Sequence, residues 1–257
     1  MRAFLFQPPP AYLRGMHATL TVFRFPRLGW LFGFWAMALF LLPLWMNRRF
    51  LFSRLMGSGL NGTFDIRPDL AQWAVLCFHT VPPDIEGMRS DADGWKRDFY
   101  GPFIAAYWRL LGCETWTIAL EVVSGHGTWD GRALGDGLPA RSRGVEDRPI
   151  AVLTRATIRL TRLRHFWSNV PPVSREFFAT EGVRLSLGIG EAPLFRQATF
   201  SLWESESRMR EFAYRNPAHR DVINRTRKER WYTEEMFLRF LPMESIGTLK
   251  GRRIDAS

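Results

Sequence analysis

Four landmarks recur in one order in the two halves of this 257-residue chain, and that recurrence limits the folds open to it. Thr21 is matched by Thr154, Gly57 by Gly188, Gln72 by Gln197 and Gly127 by Gly247. The offsets of 133, 131, 125 and 120 shrink steadily, as they do when a second copy of one unit has shorter connections. Segments that alternate in polarity, or run continuously apolar, read as strands around these landmarks. They are His17–Phe25, Gln72–Phe78, Thr115–Val123, Ile150–Arg159, Leu185–Gly190, Gln197–Trp203 and Glu235–Leu241. Helices are predicted at Trp95–Leu111, at Arg162–Thr180 with an interruption at Pro171-Pro172, at Ser205–Arg215 and at Pro217–Arg230, with a glycine turn at Gly57–Gly59. This order predicts an α+β fold in which tandem ferredoxin-like (β-α-β-β-α-β) units form a pseudo-dimeric α+β barrel. Two such units pair their sheets around one interior, where a flat or elongated apolar ligand can be held.

The corresponding organisation is a poorly ordered leader over 1–15, containing Pro8-Pro9-Pro10, and a first unit over 16–131. A Gly- and Arg-rich linker over 132–148 and a second unit over 149–251 complete it. Hydrophobic residues at 46%, with 21 Phe and 11 Trp, exclude a chain that stays unfolded. Two cysteines cannot build a disulfide scaffold, and a reducing compartment is the default. The formal charge of +10 favours negatively charged partners. Arginine is nevertheless scattered among Trp and Phe without a nucleic-acid motif, so no nucleic acid is expected.

From Leu28 to Met46 the chain carries no charge. Those 19 residues are just long enough, at ~1.5 Å each, to cross a bilayer's hydrocarbon core as a single-pass anchor. They suit equally a helix packed on a sheet or dipped into a membrane surface. Arg24 and Arg27 on one side and Arg48 and Arg49 on the other give no orientation for spanning, and Pro43 interrupts the run.

None of the five histidines forms a zinc-type pair, so a multi-histidine zinc or non-haem iron site would have to assemble from distant segments, while a one-histidine site, as for haem, is open to the chain. His219 is the candidate. Asn216-Pro217 reads as a helix start, and the helix dipole opposes protonation of a first-turn imidazole, which leaves a nitrogen free for iron. His219, Val222, Ile223 and Thr226 share one face, on which a histidine is also commonly a satisfied core residue. Arg155 and Arg159 share a strand face with Leu153 and Thr157. Turned to a cavity, they can grip haem propionates or steer bound oxygen; turned outward, they are a solvated edge. Arg227 and Trp231 follow His219 by two and about three helical turns, and either line the same wall or cap the helix end. Cys77 and Cys113 are thiolate candidates whose commoner fate is structural burial.

The blocks Arg148–Arg159, His165–Trp167, Leu187–Trp203 and Ala218–Phe240 closely resemble the spheroidene monooxygenase family of carotenoid biosynthesis. Thr19–Phe25, Met56–Phe64 and Gly127–Gly131 match it more loosely. The resemblance implies a haem-containing oxidoreductase that uses dioxygen and electrons from a reduced ferredoxin to oxidise C-2 of an acyclic carotenoid such as spheroidene. It implies a cytoplasmic protein peripheral to the inner membrane. It also places His219 at a family histidine and Arg155 in a family L-T-R-A-T block. The leader and the high hydrophobicity of 28–46 depart from the family pattern. A haem- or lipophile-binding barrel without oxygenase turnover is the alternative reading.

Overall fold

The computed structural model describes residues 15–26, 29–60, 65, 67–135, 147–192, 194–215, 225–226 and 228–256. The expected leader lies almost wholly outside the described residues, as does most of the expected linker. The fold is α+β. Eight antiparallel strands close into a barrel: β1 (His17–Arg24), β2 (Phe52–Gly59), β3 (Pro68–His79), β4 (Glu114–Gly127), β5 (Ile150–Ile158), β6 (Val183–Ala192), β7 (Arg196–Trp203) and β8 (Tyr232–Gly247). Around the ring they run β4-β1-β3-β2, then β6-β7-β5-β8, and β8 pairs back onto β4. The two halves therefore meet at a long seam, β4 with β8, and a short one, where only Gly57 and Ser58 pair with Gly190 and Ile189.

The long seam is built twice over in the same way. Each of its strands ends in a two-residue turn with both central residues at positive φ, Asp130-Gly131 after β4 and Lys250-Gly251 after β8. That is the mirror-image turn that matches strand twist. Gly127 and Gly247 precede these turns at φ 85° and 83°, where a Cβ would stand 2.1 Å from the Glu235 carbonyl oxygen and 2.0 Å from that of Thr115. A glutamate at the start of the opposite strand caps each turn. Glu234 accepts from the Thr128 hydroxyl and the Gly131 N–H, and Glu114 accepts from the Thr248 hydroxyl and the Lys250 and Gly251 N–H groups.

Inside the barrel, Leu20, Leu76, Ile118, Leu153, Phe200 and Leu238 belong to one packed apolar core. The interior expected to hold a ligand is filled by the chain's own side chains. The helices pack outside it. In the first half these are α1 (Trp30–Leu39), α2 (Leu41–Met46), α3 (Ile85–Ser90), α4 (Ala92–Tyr100) and α5 (Pro102–Leu110). In the second they are α6 (Leu163–Ala179) and α7 (Glu206–Arg215).

Several sequence expectations are corrected. The helix expected over Trp95–Leu111 is two, because Gly101 at φ 95° followed by Pro102 ends one and starts the next. The glycine turn at Gly57–Gly59 is the end of β2, where a bulge bends the strand into the short seam. Helix α6 runs on through 171–172, although neither proline there can donate an N–H to its ladder. Strand β8 is more than twice the length expected. The apolar run 28–46 forms two short helices that break around Phe40, where Pro43 cannot donate back to Leu39. No helix among the described residues is long and apolar enough to cross a membrane.

Helix α1 lies on the sheet through its smallest residues. A Cβ on Gly33 would stand 2.0 Å from Nε1 of Trp73, whose indole is itself held by a hydrogen bond to the Leu70 carbonyl. Gly33→Leu therefore has to lift the helix or turn the indole. The expected outcome is a loss of about 2 kcal/mol or more in urea unfolding, at the upper part of the range for overpacking.

Candidate functional site

One hydrogen-bonding row crosses the outer face of the second-half sheet: His126, Phe237, Thr154, Thr199 and Gly188 stand side by side on β4, β8, β5, β7 and β6. His126 and Thr154 are exposed, and Phe237 and Thr199 are only half-buried. The corresponding row of the first half runs Ile246, Thr117, Thr21, Val75 and Leu55. There Thr21 is sealed, with its hydroxyl 2.7 Å from both the Tyr100 and the Thr117 hydroxyls. The same sheet position is therefore closed by helices in one half and open in the other.

Two aromatic clusters bracket the open row. At one end Trp203 packs on Phe177 of α6 and Phe212 of α7, at centroid distances of 5.4 and 5.6 Å. At the other, Ile158, Phe166 and Trp231 form a second cluster, joined by Leu163, Trp167 and Tyr232. Burial pushes the Tyr232 phenol up to about 12, so it stays protonated as a neutral donor. Helix α6 touches both clusters, Phe166 in one and Phe177 in the other, and so spans the hollow like a bridge. The floor beneath is four strands wide, roughly 14 Å at the usual spacing of strands. That suits a flat or elongated apolar molecule lying over small hydroxyl side chains.

Directly behind this floor, Arg155 points into the barrel and is 1% exposed. Its guanidinium donates to Glu234, stands 3.3 Å from Glu191 and 3.8 Å from Asp130, and lies over the Trp129 ring. Arg54 joins the same cluster through Asp130 and, at 2.7 Å, Glu191, and Arg196 stands 3.5 Å from Asp130. Trp129 Nε1 donates to Glu191 at 3.1 Å. Burial acts to raise the Glu234 carboxyl, but the Gly131 N–H, the Thr128 hydroxyl, Arg155 and the Asp130 N–H outweigh it and hold it down to about 2. Of the Arg155 nitrogens only Nε lacks a partner.

The residues singled out from sequence are thus distributed unevenly. Arg155 faces inward, already matched by carboxylates, whereas Arg159 lies past the strand end and is exposed. Trp231 is buried in the cluster at one end of the hollow, its Nε1 donating to Glu229 at 2.8 Å. His219 and Arg227 lie outside the described residues. His17 and His79 stack 6.0 Å apart on the outer side of the first half; burial takes His79 down to about 4, and its ring bonds Thr19 and the Val81 carbonyl. Cys77 is buried and its thiol is pushed up by desolvation, and Cys113 is pushed up to about 12 for the same reason, so neither is a ready thiolate. Among the described residues no group of three or more His, Cys, Asp and Glu is arranged to hold a metal ion. Glu191 and Glu234 escaped sequence reasoning, although the 120-residue offset that pairs Gly127 with Gly247 also pairs Glu114 with Glu234.

Because the Glu234 carboxyl titrates at about 2 when folded against 4.5 ordinarily, the stability it contributes is complete above pH 4.5 and is lost as pH falls from there towards 2. Arg155→Met leaves the carboxylates under-neutralised and is expected to cost about 3–5 kcal/mol at pH 7. In urea unfolding that deficit shrinks at pH 4, where the variant's carboxyls take up protons; an equal deficit at both pH values would mean that Arg155 acts by packing alone.

No protein-family model matches the chain. Two solved structures of aldoxime dehydratase, one of them in complex with butyraldoxime, share its fold at TM-scores of 0.53 and 0.54 and 8% identity. They cover 88% and 89% of this chain, and 81% and 79% of their own. The spheroidene monooxygenase of Rhodobacter capsulatus is 32% identical over 239 residues, covering 91% of this chain and 93% of that protein. The spheroidene monooxygenase of Rubrivivax gelatinosus is 33% identical over 202 residues, 79% of this chain and 72% of its own length. At that identity over nearly the whole of both sequences, the chain belongs to the spheroidene monooxygenase family and is an oxidoreductase of the monooxygenase class.

Proposed function

We propose that the protein is a haem-dependent monooxygenase that oxidises C-2 of an acyclic, spheroidene-like carotenoid, and that it does so in the hollow between α6 and the outer face of the second-half sheet. The two halves are read as duplicated ferredoxin-like units, of which the first has its outer face sealed and the second has kept it open. The observation that carries the proposal is that contrast between Thr21, buried under Tyr100, and Thr154, exposed at the equivalent position.

His219 is assigned the iron because its segment joins, in sequence, the two strands whose ends bound the hollow. Strand β7 ends at Trp203, beside the Phe177–Phe212 cluster, and β8 begins at Tyr232, beside the Trp231 cluster. In the sequence, residue 219 lies between these two strands. Trp231 then forms an end wall and Arg227 lies on the same connection. Arg155 stands behind the floor as a positioning residue, tying β5 to β8 and β6 through Glu234 and Glu191. A haem bound there supplies the activation of dioxygen, with electrons from a reduced ferredoxin-type donor. The protein's part is to keep water from the hollow and to hold the polyene so that C-2 lies at the iron.

Protein purified from haem-replete cells should show a Soret band and, co-expressed with an acyclic carotenoid pathway, convert the pigment to its C-2 hydroxy or keto form. His219→Ala should lose most of that band. Thr154→Trp, which fills the hollow at an exposed position, should lower haem content and turnover at least tenfold while leaving far-UV circular dichroism unchanged. Full haem content in both variants would overturn this placement of the site.

A further inference from the structure

Helix α1 and the helix after it are inside out. The residues they bury are the small or widely spaced Gly33, Ala36, Phe40 and Leu44, while Leu31, Phe34, Trp35, Leu42 and Trp45 face solvent. Trp35 is 64% exposed and Trp45 81%, so each indole gains almost nothing from the folded chain around it. A surface helix of a globular domain normally turns its large apolar residues inward. Positions 31, 34, 35, 38, 39, 42 and 45 all fall on the outward stripe. Helix α5 extends the patch: Tyr107 donates from its hydroxyl to the Phe32 carbonyl, and its neighbour one turn back, Phe103, is also exposed. A contiguous apolar surface of this kind marks a contact with something outside the chain.

Charge says what that contact is. Across the first 64 residues the sequence has seven arginines and no aspartate or glutamate. Arg24, itself paired with Asp69 at 2.7 Å, and Arg27 stand before the apolar run, and Arg48 and Arg49 after it. Arg48 and Arg49 are exposed and have no carboxylate partner among the described residues; Arg49 donates only to the Asp98 carbonyl. Arginines at both ends are wrong for a span, which places its ends in different compartments. They are right for a helix pair lying flat, with both ends at headgroup depth and the aromatic stripe below them. Helix α1, at 10 residues, is also only about half as long as a span requires.

We infer that this face docks the protein on the surface of an anionic phospholipid bilayer, with α1 and α2 in the plane of the interface, Trp35 and Trp45 in the acyl boundary, and Arg48 and Arg49 against lipid phosphates. The inference rests on the first half alone and does not depend on the haem site proposed in the second.

The test is co-sedimentation of the full-length protein with vesicles of phosphatidylcholine containing 30% phosphatidylglycerol, and with vesicles of phosphatidylcholine alone. Binding to the anionic vesicles is expected, weakening at high salt and on the neutral vesicles. Arg48→Glu with Arg49→Glu should weaken it by at least about thirtyfold, the scale set by two interfacial cations. Trp35→Ser with Trp45→Ser should abolish it, and since both side chains are exposed the thermal unfolding midpoint should stay within a few degrees. Absence of binding to anionic vesicles would overturn the inference. So would a dimer, seen by sedimentation velocity, that the paired tryptophan substitutions dissolve, because a second copy would then be what covers the face.

Discussion

Closure of the barrel depends on the crossing of β4 and β8, the longer of the two strand pairings between the halves among the described residues. Each strand supplies at its start the carboxylate that caps the turn at the other's end, Glu234 for Asp130-Gly131 and Glu114 for Lys250-Gly251. The caps fix register. A slip by two residues would carry both carboxylates away from their N–H donors at once, and a slip by one would in addition turn Leu238 and Phe240 out of the core. Everything else hangs from this seam, including the row that runs from His126 and Phe237 across to Thr199.

The two halves contribute four strands each in matching order, but their outer faces differ. Over the first half, α3 to α5 seal the sheet with Tyr100, Trp95, Phe99 and Trp108, and the far side of α1 and α2 stays apolar and exposed. Over the second half, α6 touches the sheet at its two ends and leaves Thr154 open between them. The first half presents large apolar side chains to its surroundings; the second presents an open row that includes the hydroxyl side chains of Thr154 and Thr199. On the proposed function, a fat-soluble substrate would use both, the one to meet the phase in which it dissolves and the other to be held.

Much of the frame was legible because its recurring landmarks include glycines, whose need for positive φ before the seam turns leaves no substitute at 127 and 247. What was not legible came from context. The length of β8 is hidden because a bulge at Met243, opposite Ala119–Leu120, breaks its alternation and Pro242 sits within it. The Gly101-Pro102 break was visible and went unread, since the apolar period runs on across it. In the site, the inward direction of Arg155 follows from alternation with Leu153, but its partners come from strands 36 and 79 residues away. The open row belongs to no segment at all: five strands contribute one residue each, and only the ring order brings them together.

Arg155 itself is not required for closure, and that bears on why it is there. With the 133-residue offset that relates Thr21 to Thr154, its counterpart is Val22, which packs in the same core and lets the opposite mouth close without a cation. A well-packed apolar residue in place of a buried ion pair is commonly neutral or stabilising, so stability alone gives no reason to keep guanidinium and three carboxylates together. The arginine acts on geometry. Its hydrogen bond to Glu234 and its ion pair with Glu191 fix β5 against β8 and β6 within one residue of Thr154, where Val22 would leave the sheet free to shift by the slack of apolar packing. A floor held by such directional bonds keeps a register that apolar packing alone does not impose.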